Sequence, residues 1–295
     1  MKVFVTGGTG FVGRGLVMEL SEKGYRVRCL VRNLKKARRS LPGEVELMRG
    51  DVMQSEGLAQ AISGCEAVIH LVGIIVERKN ATFEKVHVLG TLNVVEATKQ
   101  AGVKRYLHMS ALGSRPDAAS RYHLTKYAAE QHVRRSGLDY TIFRPSVIFG
   151  PSDRFINLLA SLIRLSPVVM ILGDGKAKIQ PVAVRDVVQC FISALENNQT
   201  QWKVYDVGGP RAMSFEEMVD KILRVMGRRR LKIHLPIPWV QGLVRLFERG
   251  LPVAPLTQDQ LVMLQEDNTC DVGPLIADFA ISLQDFTEGI RAYVR

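Results

Sequence analysis

Tyr122 and Lys126 stand four residues apart in the run Ser-Arg-Tyr-His-Leu-Thr-Lys, a spacing that sets both side chains on one face of a helix. A tyrosine with its ordinary pKa near ~10 is a poor acid–base at neutral pH. A neighbouring ammonium favours the phenolate, and the pair then suits proton transfer to or from a hydroxyl or carbonyl oxygen. The spacing alone is a weak pattern, for which a chance solvated pair is the usual explanation. Its weight comes from what precedes it. Val3, Phe4 and Val5 make a short apolar run ending in Thr6, glycines follow at 7, 8, 10 and 13, and an amphipathic stretch begins at Phe11. That is strand, glycine turn, helix. A helix start reached through glycine offers free N–H groups and the positive end of a dipole, which suits a pyrophosphate. Gly7 and Gly10 allow a tight turn and close approach, with Thr9, Phe11 and Val12 between and after them, and Gly13 lets helix and strand pack closely. A nucleoside triphosphate loop fits poorly, because Arg14-Gly15 stand where Lys-Ser/Thr is needed.

Further candidates lie at predicted strand ends. Arg32 follows the second strand, 19 residues after Gly13, where an acid would bind the ribose 2′-hydroxyl of NAD and an arginine accommodates the 2′-phosphate of NADP. No acid lies between Lys23 and Pro42, and Asn33 and Lys35 also suit a phosphate, so NADP(H) is favoured over NAD(H). Asp51, followed by Val52, could accept from the adenine amino group or cap a helix over 52–63. Leu71, Val72 and Gly73 follow the fourth strand, Ser110 ends the fifth, and Pro145, Ser146 and Val147 follow the sixth; all join the candidate site. The histidines show no H-x-x-x-H or H-E-x-x-H spacing, and no metal site is expected.

These residues need a particular scaffold. Strand-like runs at 3–6, 26–31, 45–49, 67–71, 105–110 and 140–143 alternate with helical patterns near 11–23, 55–63, 83–101 and 121–136. Such alternation predicts an α/β, doubly wound parallel-sheet Rossmann fold, with ligands beyond the carboxyl ends of the strands. After Arg144-Pro145 the alternation breaks. Helices near 154–164 and 185–197 and a strand at 204–207 are predicted. The reading is a dinucleotide-binding domain over 1–150 plus 178–210, with a smaller, mostly helical cap over 151–177 plus 211–295 that closes over the cofactor.

The 295 residues carry a net charge of +11, an apolar content of 46% and a charged content of 23%, those of an ordinary globular protein. Four scattered cysteines without a C-x-x-C argue against zinc or a disulfide framework and for a reducing compartment. Strand residues begin at Lys2, leaving no room for a signal peptide, and no apolar run approaches a membrane span. A cytoplasmic location follows, with peripheral membrane association open. Basic residues cluster at 26–39 and at Arg228-Arg229-Arg230-Leu231-Lys232; the second cluster is read as a solvated face, and nucleic acid is not expected.

The segments TGGTGFVG (6–13), GDV (50–52), HLVG (70–73), VHVLGTLNVVEATKQAGVKRYLHMSA (86–111), YHLTK (122–126), RPSVIFGPSD (144–153), QPVAVRDVV (180–188) and YDVGGP (205–210) together resemble the extended short-chain dehydrogenase/reductases, which include nucleotide-sugar epimerases and dehydratases. HMSALGS (108–114) and the tail from Pro255 to Asn268 resemble an atypical branch, that of the dinucleotide-binding accessory subunit of mitochondrial complex I and its bacterial relatives. The resemblance implies a catalytic set of Asn, Ser/Thr, Tyr and Lys. Tyr122 and Lys126 match the last two. His87, also placed in the cofactor site, replaces the Asn; Ala111 falls at the Ser position, with Ser110 one residue early. The chain is therefore expected to bind NADP(H) and to run oxidoreductase or epimerase/dehydratase-type chemistry on an unidentified small molecule through Tyr122, Lys126 and Ser110. The alternatives are a non-catalytic NADPH-binding accessory or assembly protein of a respiratory or quinone-related complex, and a nucleotide-sensing regulator.

Overall fold

The computed structural model describes residues 1–250 and 256–294. Pro255, the first residue of the tail segment, lies outside them. The described chain divides into two compact units. The first comprises Met1–Pro145, Val184–Asp206 and Gly273–Ile281, the second Ser146–Ala183, Val207–Val272 and Ser282–Arg295.

The first unit is built on a seven-stranded sheet. Its strands are β1 (Lys2–Thr6), β2 (Arg26–Val31), β3 (Glu46–Arg49), β4 (Ala67–His70), β5 (Arg105–Met109), β6 (Asp139–Pro145) and the edge strand Lys203–Val207. The order runs from Lys203–Val207 through β6, β5, β4, β1 and β2 to β3. The registers from β3 to β6 are parallel, with Thr6 beside both Leu30 and His70 and Met109 beside Phe143. This is a Rossmann sheet. Val3, Phe4 and Val5 are fully buried because β1 lies at its centre, covered on both faces. Phe4 joins Leu30, Ile62, Val68, Val95, Tyr106 and Ile142 in one cluster. The crossover helices include α1 (Phe11–Glu22), α2 (Leu34–Arg38), α3 (Leu58–Ile62), α4 (Gly90–Gln100) and α5 (Arg121–Arg134). The order of crossovers reverses between β1 and β4, and the carboxyl ends of these two strands flank the crevice where such sheets take ligands.

Three elements differ from the sequence reading. The short α2 was not anticipated; Asn33 starts it by accepting from the Lys36 N–H at 2.9 Å. The helix expected from residue 55 begins only at Leu58, after Gly57 turns left-handed at φ 74°. The helix expected over 83–101 starts as a wide π-type turn, Glu84–Leu89, before α4.

The second unit holds more helix than strand, but irregular chain makes up much of it, and its described residues form three two-stranded pairs. Val168–Leu172 pairs in parallel with Leu231–Leu235. Helices Phe155–Leu165 and Phe215–Val225 pack around Phe149, Ile171, Met218, Ile222 and Phe286. A capping box of Ser214 and Glu217 opens the second of these helices. No helix among the described residues is long and apolar enough to cross a membrane.

Candidate functional site

The turn after β1 is a backbone cradle. Gly7 adopts φ 79°, and its carbonyl accepts from the Gly10 N–H at 2.9 Å. A Cβ on Gly13 would sit 2.2 Å from the Gly7 oxygen and 2.7 Å from the Gly8 Cα, so helix and turn meet at a distance only glycine permits. Gly10 precedes α1 without any side-chain cap, which leaves first-turn N–H groups for an outside acceptor. Val12 is buried beneath the turn, Phe11 is half-buried, and Thr9 and Gly10 are exposed. Leu71 closes the other side: its N–H donates to the Thr6 carbonyl at 3.1 Å, and its carbonyl carbon lies 3.0 Å from where a Gly7 Cβ would be. The residues present fit a dinucleotide phosphate bridge.

At the end of β2, Arg32 is exposed, and its guanidinium has no protein partner among the described residues. The adjacent strand register places Arg49 beside Val31, and Arg49 is likewise exposed. Asn33 is committed to starting α2. Asp51 does not cap a helix over 52–63; it makes a tight turn, accepting from the Met53 N–H at 3.0 Å, because the helix begins only at Leu58, behind Gly57. Val52 is buried against Gly90, and its carbonyl accepts from Asn93.

Lys126 lies one turn after Tyr122 on α5 and is 3% exposed. Its Nζ donates to the Met109 carbonyl at the end of β5, at 2.6 Å. Glu130, the acid one turn further on, would be its natural ion-pair partner. Arg144 instead takes Glu130 in a two-pronged pair at 2.8 and 2.6 Å. Burial, opposed only in part by the Glu130 charge, pushes the Lys126 ammonium down to about 8. The sign of this shift sets a pH dependence. The unfolded chain holds the lysine proton up to about 10.5 and the folded chain only to about 8, so folding gains stability as pH rises between those values. We expect the stability of the ligand-free native chain relative to Lys126→Met, from urea unfolding, to rise across that window. Parallel curves for the two proteins would contradict the buried, unpaired ammonium.

His87 fixes the neighbouring loop. Its Nδ1 lies 2.9 Å from Thr125 Oγ1, and its Nε2 lies 3.1 Å from the Ile74 nitrogen. Nε2 also lies 3.0 Å from the Ile74 carbonyl oxygen, and Thr125 Oγ1 lies 3.0 Å from the Arg121 and Tyr122 carbonyls, so His87 ties the Ile74 backbone to the first turn of α5. Burial, then the Lys126 charge, lowers His87 to about 3, which keeps the ring neutral. The Tyr122 ring meets His87 edge-on, centroids 5.4 Å apart, and Phe83 at 5.8 Å. A Cβ on Gly73 would lie 3.7 Å from His87 Nε2 and 3.8 Å from Lys126 Nζ, so Gly73, His87 and Lys126 converge. Below them, His70 links β1 to α4 through Thr6 at 2.7 Å and Thr91 at 3.2 Å, and burial lowers it to about 3.

The remaining candidates are placed as follows. Ser110 is buried, donating to Ser114 at 3.2 Å, beside buried Ala111. The Pro145 carbonyl accepts from Leu112 at 2.9 Å. Val72 is half-buried after β4. Ser146 and Val147 belong to the second unit, where Ser146 donates to Asn268 Oδ1 at 2.6 Å and the Val147 carbonyl accepts from Val182 at 3.0 Å. Sequence reasoning missed Thr125, the Met109 carbonyl and the Glu130–Arg144 pair. Thr125 sits inside YHLTK and was legible there; a backbone carbonyl leaves no sequence signal.

The model of the NAD dependent epimerase/dehydratase family matches residues 3–208. The chain is 29% identical over 291 residues to NADH dehydrogenase (ubiquinone) 1 alpha subcomplex subunit 9, mitochondrial, of Arabidopsis thaliana, covering 95% of this chain and 72% of that protein. It is 31% identical over 247 residues to ceramide reductase of Caulobacter vibrioides, covering 81% and 74%. In three dimensions it resembles UDP-glucuronic acid 4-epimerase from Bacillus cereus in complex with NAD, with a TM-score of 0.79 and 18% identity over 100% of this chain and 97% of that one; this likeness concerns the fold alone.

Proposed function

Since this chain belongs to the NAD dependent epimerase/dehydratase family, a family of NAD(P)-binding Rossmann proteins, we propose that it is an NADP(H)-preferring oxidoreductase or epimerase-type enzyme with Tyr122 as its acid–base. The observation that carries this reading is Lys126: a buried ammonium, denied its nearest carboxylate, one helical turn from a tyrosine. That ammonium, held to the Met109 carbonyl at 2.6 Å without an ion pair, is where it would favour a developing phenolate on Tyr122.

The glycine turn would hold the pyrophosphate at the start of α1, and Arg32 would meet the 2′-phosphate. A bound nicotinamide supplies or accepts hydride. Tyr122 would pass a proton to or from the substrate oxygen, Lys126 would orient the ribose and favour the Tyr122 anion, and Ser110 would help bind the substrate oxygen. His87 would do the work that the family gives to asparagine, holding the Ile74 loop through Thr125 rather than touching the reacting atoms. The domain reading stands as a proposal beside this: nucleotide on 1–150 plus 178–210, substrate on the cap.

A second reading rests on Ala111, where the family places a hydroxyl, and on likeness to a respiratory-complex subunit. In it the nucleotide is structural and the chain is an accessory or assembly protein. The likeness to a ceramide reductase favours the catalytic one. Cofactor choice is tested by calorimetry with NADPH and NADH on the native chain and on Arg32→Asp. A charge-assisted phosphate contact contributes about 1.5–3 kcal/mol, so the native preference for NADPH should fall roughly ten- to hundredfold. A native preference for NADH, or an unchanged preference in the variant, would remove the 2′-phosphate assignment.

A further inference from the structure

The second unit exposes an apolar face that its own core does not need. In the parallel pair Val168–Leu172 and Leu231–Leu235, register partners share a face, so Val169 and Ile171 turn inward with Lys232 and His234 beside them. The opposite face carries Met170, Leu231 and Ile233, exposed by 59%, 64% and 42%. Helix Ile237–Gly250 packs on that same face, where Val240 and Val244 meet Leu172 and Leu235. It turns Trp239, Leu243 and Leu246 outward at i, i+4 and i+7, exposed by 77%, 50% and 64%. Six large apolar side chains, one of them tryptophan, are thus exposed on this strand pair and on the helix packed against it.

The charges around this surface have one dominant sign. Arg228 and Arg229 lie three and two residues before Leu231, and Arg245 lies between Leu243 and Leu246; all three are exposed, without a carboxylate partner among the described residues. Among the nearby acids, Glu216 and Asp220 hold Lys232 at 2.7 and 2.9 Å on the other side of the strand pair, while Glu248, on the helix itself, keeps its charge and accepts from the Gln258 N–H at 3.0 Å. Tryptophan and leucine flanked by arginines match an anionic lipid surface, with the apolar groups entering the headgroup boundary and the guanidinium groups meeting phosphates.

We propose that Trp239, Leu243, Leu246, Met170, Leu231 and Ile233, with Arg228, Arg229 and Arg245, form a docking face for an anionic membrane surface. The 228–232 cluster is then more than the solvated face its sequence suggested, because the apolar ribbon beside it gives the charges a purpose.

The test is flotation of the full chain with vesicles of phosphatidylcholine alone and of phosphatidylcholine mixed with phosphatidylglycerol. The native chain should float with the mixed vesicles, less so as salt is raised, and not with phosphatidylcholine alone. Trp239→Ala/Leu243→Ala/Leu246→Ala and, separately, Arg228→Glu/Arg229→Glu should each lower partitioning at least about tenfold. Lys35→Glu/Lys36→Glu removes the same charge from the first unit and should change little. Three results would overturn the proposal: no flotation of the native chain, an equal loss with the Lys35/Lys36 control, or retained flotation in both face variants. Concentration-dependent self-association in sedimentation velocity, abolished by the triple substitution, would also overturn it by making a second copy the occupant.

Discussion

Tyr122→Phe should lower any turnover of NADPH by roughly 10²–10⁴-fold, the range a general acid–base contributes, while leaving NADPH affinity nearly unchanged. The substitution removes one hydroxyl and keeps the ring that packs edge-on against His87 and Phe83, so the α5 start and the Ile74 loop should stay in place. The assay is loss of reduced-nicotinamide absorbance against a panel of small carbonyls, quinones and sugar nucleotides. Lys126→Ala should behave differently and lose both affinity and rate, because the ammonium is assigned to the ribose as well as to Tyr122. Turnover that survives Tyr122→Phe would refute the acid–base assignment. If the whole panel gives no turnover and the protein purifies with bound NADPH and a membrane-complex partner, the accessory reading takes its place.

The second large effect is expected at Gly13. Its Cβ position lies 2.2 Å from a backbone oxygen and 2.7 Å from a backbone carbon, neither of which belongs to a side chain that could swing away. Gly13→Val must therefore push α1 off the turn. Overpacking of this kind costs about 1–3 kcal/mol of stability. The loss of nucleotide should be larger, at least about a hundredfold, because the first-turn N–H groups lose their aim at the pyrophosphate. Gly24→Val offers the comparison: that glycine has φ 81° but open space around it, so it should cost stability without removing nucleotide. Equal nucleotide affinity in native and Gly13→Val proteins would remove the phosphate-cradle reading.

Much of this could be read from the chain because it rests on local rules. The strand, glycine turn and helix at 1–22 are contiguous, and the alternation that predicts a parallel sheet survives small errors in boundaries. What escaped was set by tertiary context. Leu34–Arg38 is too short and too basic to show a helical period, and only Asn33 announces it. The turn at Glu84–Leu89 is widened where His87 reaches across to Ile74, a contact 13 residues away in sequence. Asp51 reads as an adenine acceptor or a helix cap, and the left-handed Gly57, by delaying the helix, leaves its side chain making a turn where a cap was expected. Within the site, YHLTK places Tyr122 and Lys126 together, but the isolation of Lys126 follows from Arg144 capturing Glu130 across 14 residues, which no spacing rule contains. In the second unit, the amphipathic period of Ile237–Gly250 is visible in sequence, but which of its apolar residues remain outside is decided by the strand pair beneath it.

The central claim is that residues 7–13 and Arg32 form an NADP(H) site. Equilibrium dialysis of the native chain against NADPH and against NADH, side by side, tests it most directly. NADPH should be retained at one nucleotide per chain and NADH at least about tenfold more weakly, as a charge-assisted contact to the 2′-phosphate requires. Retention of neither nucleotide, at concentrations that saturate ordinary dehydrogenases, would contradict it.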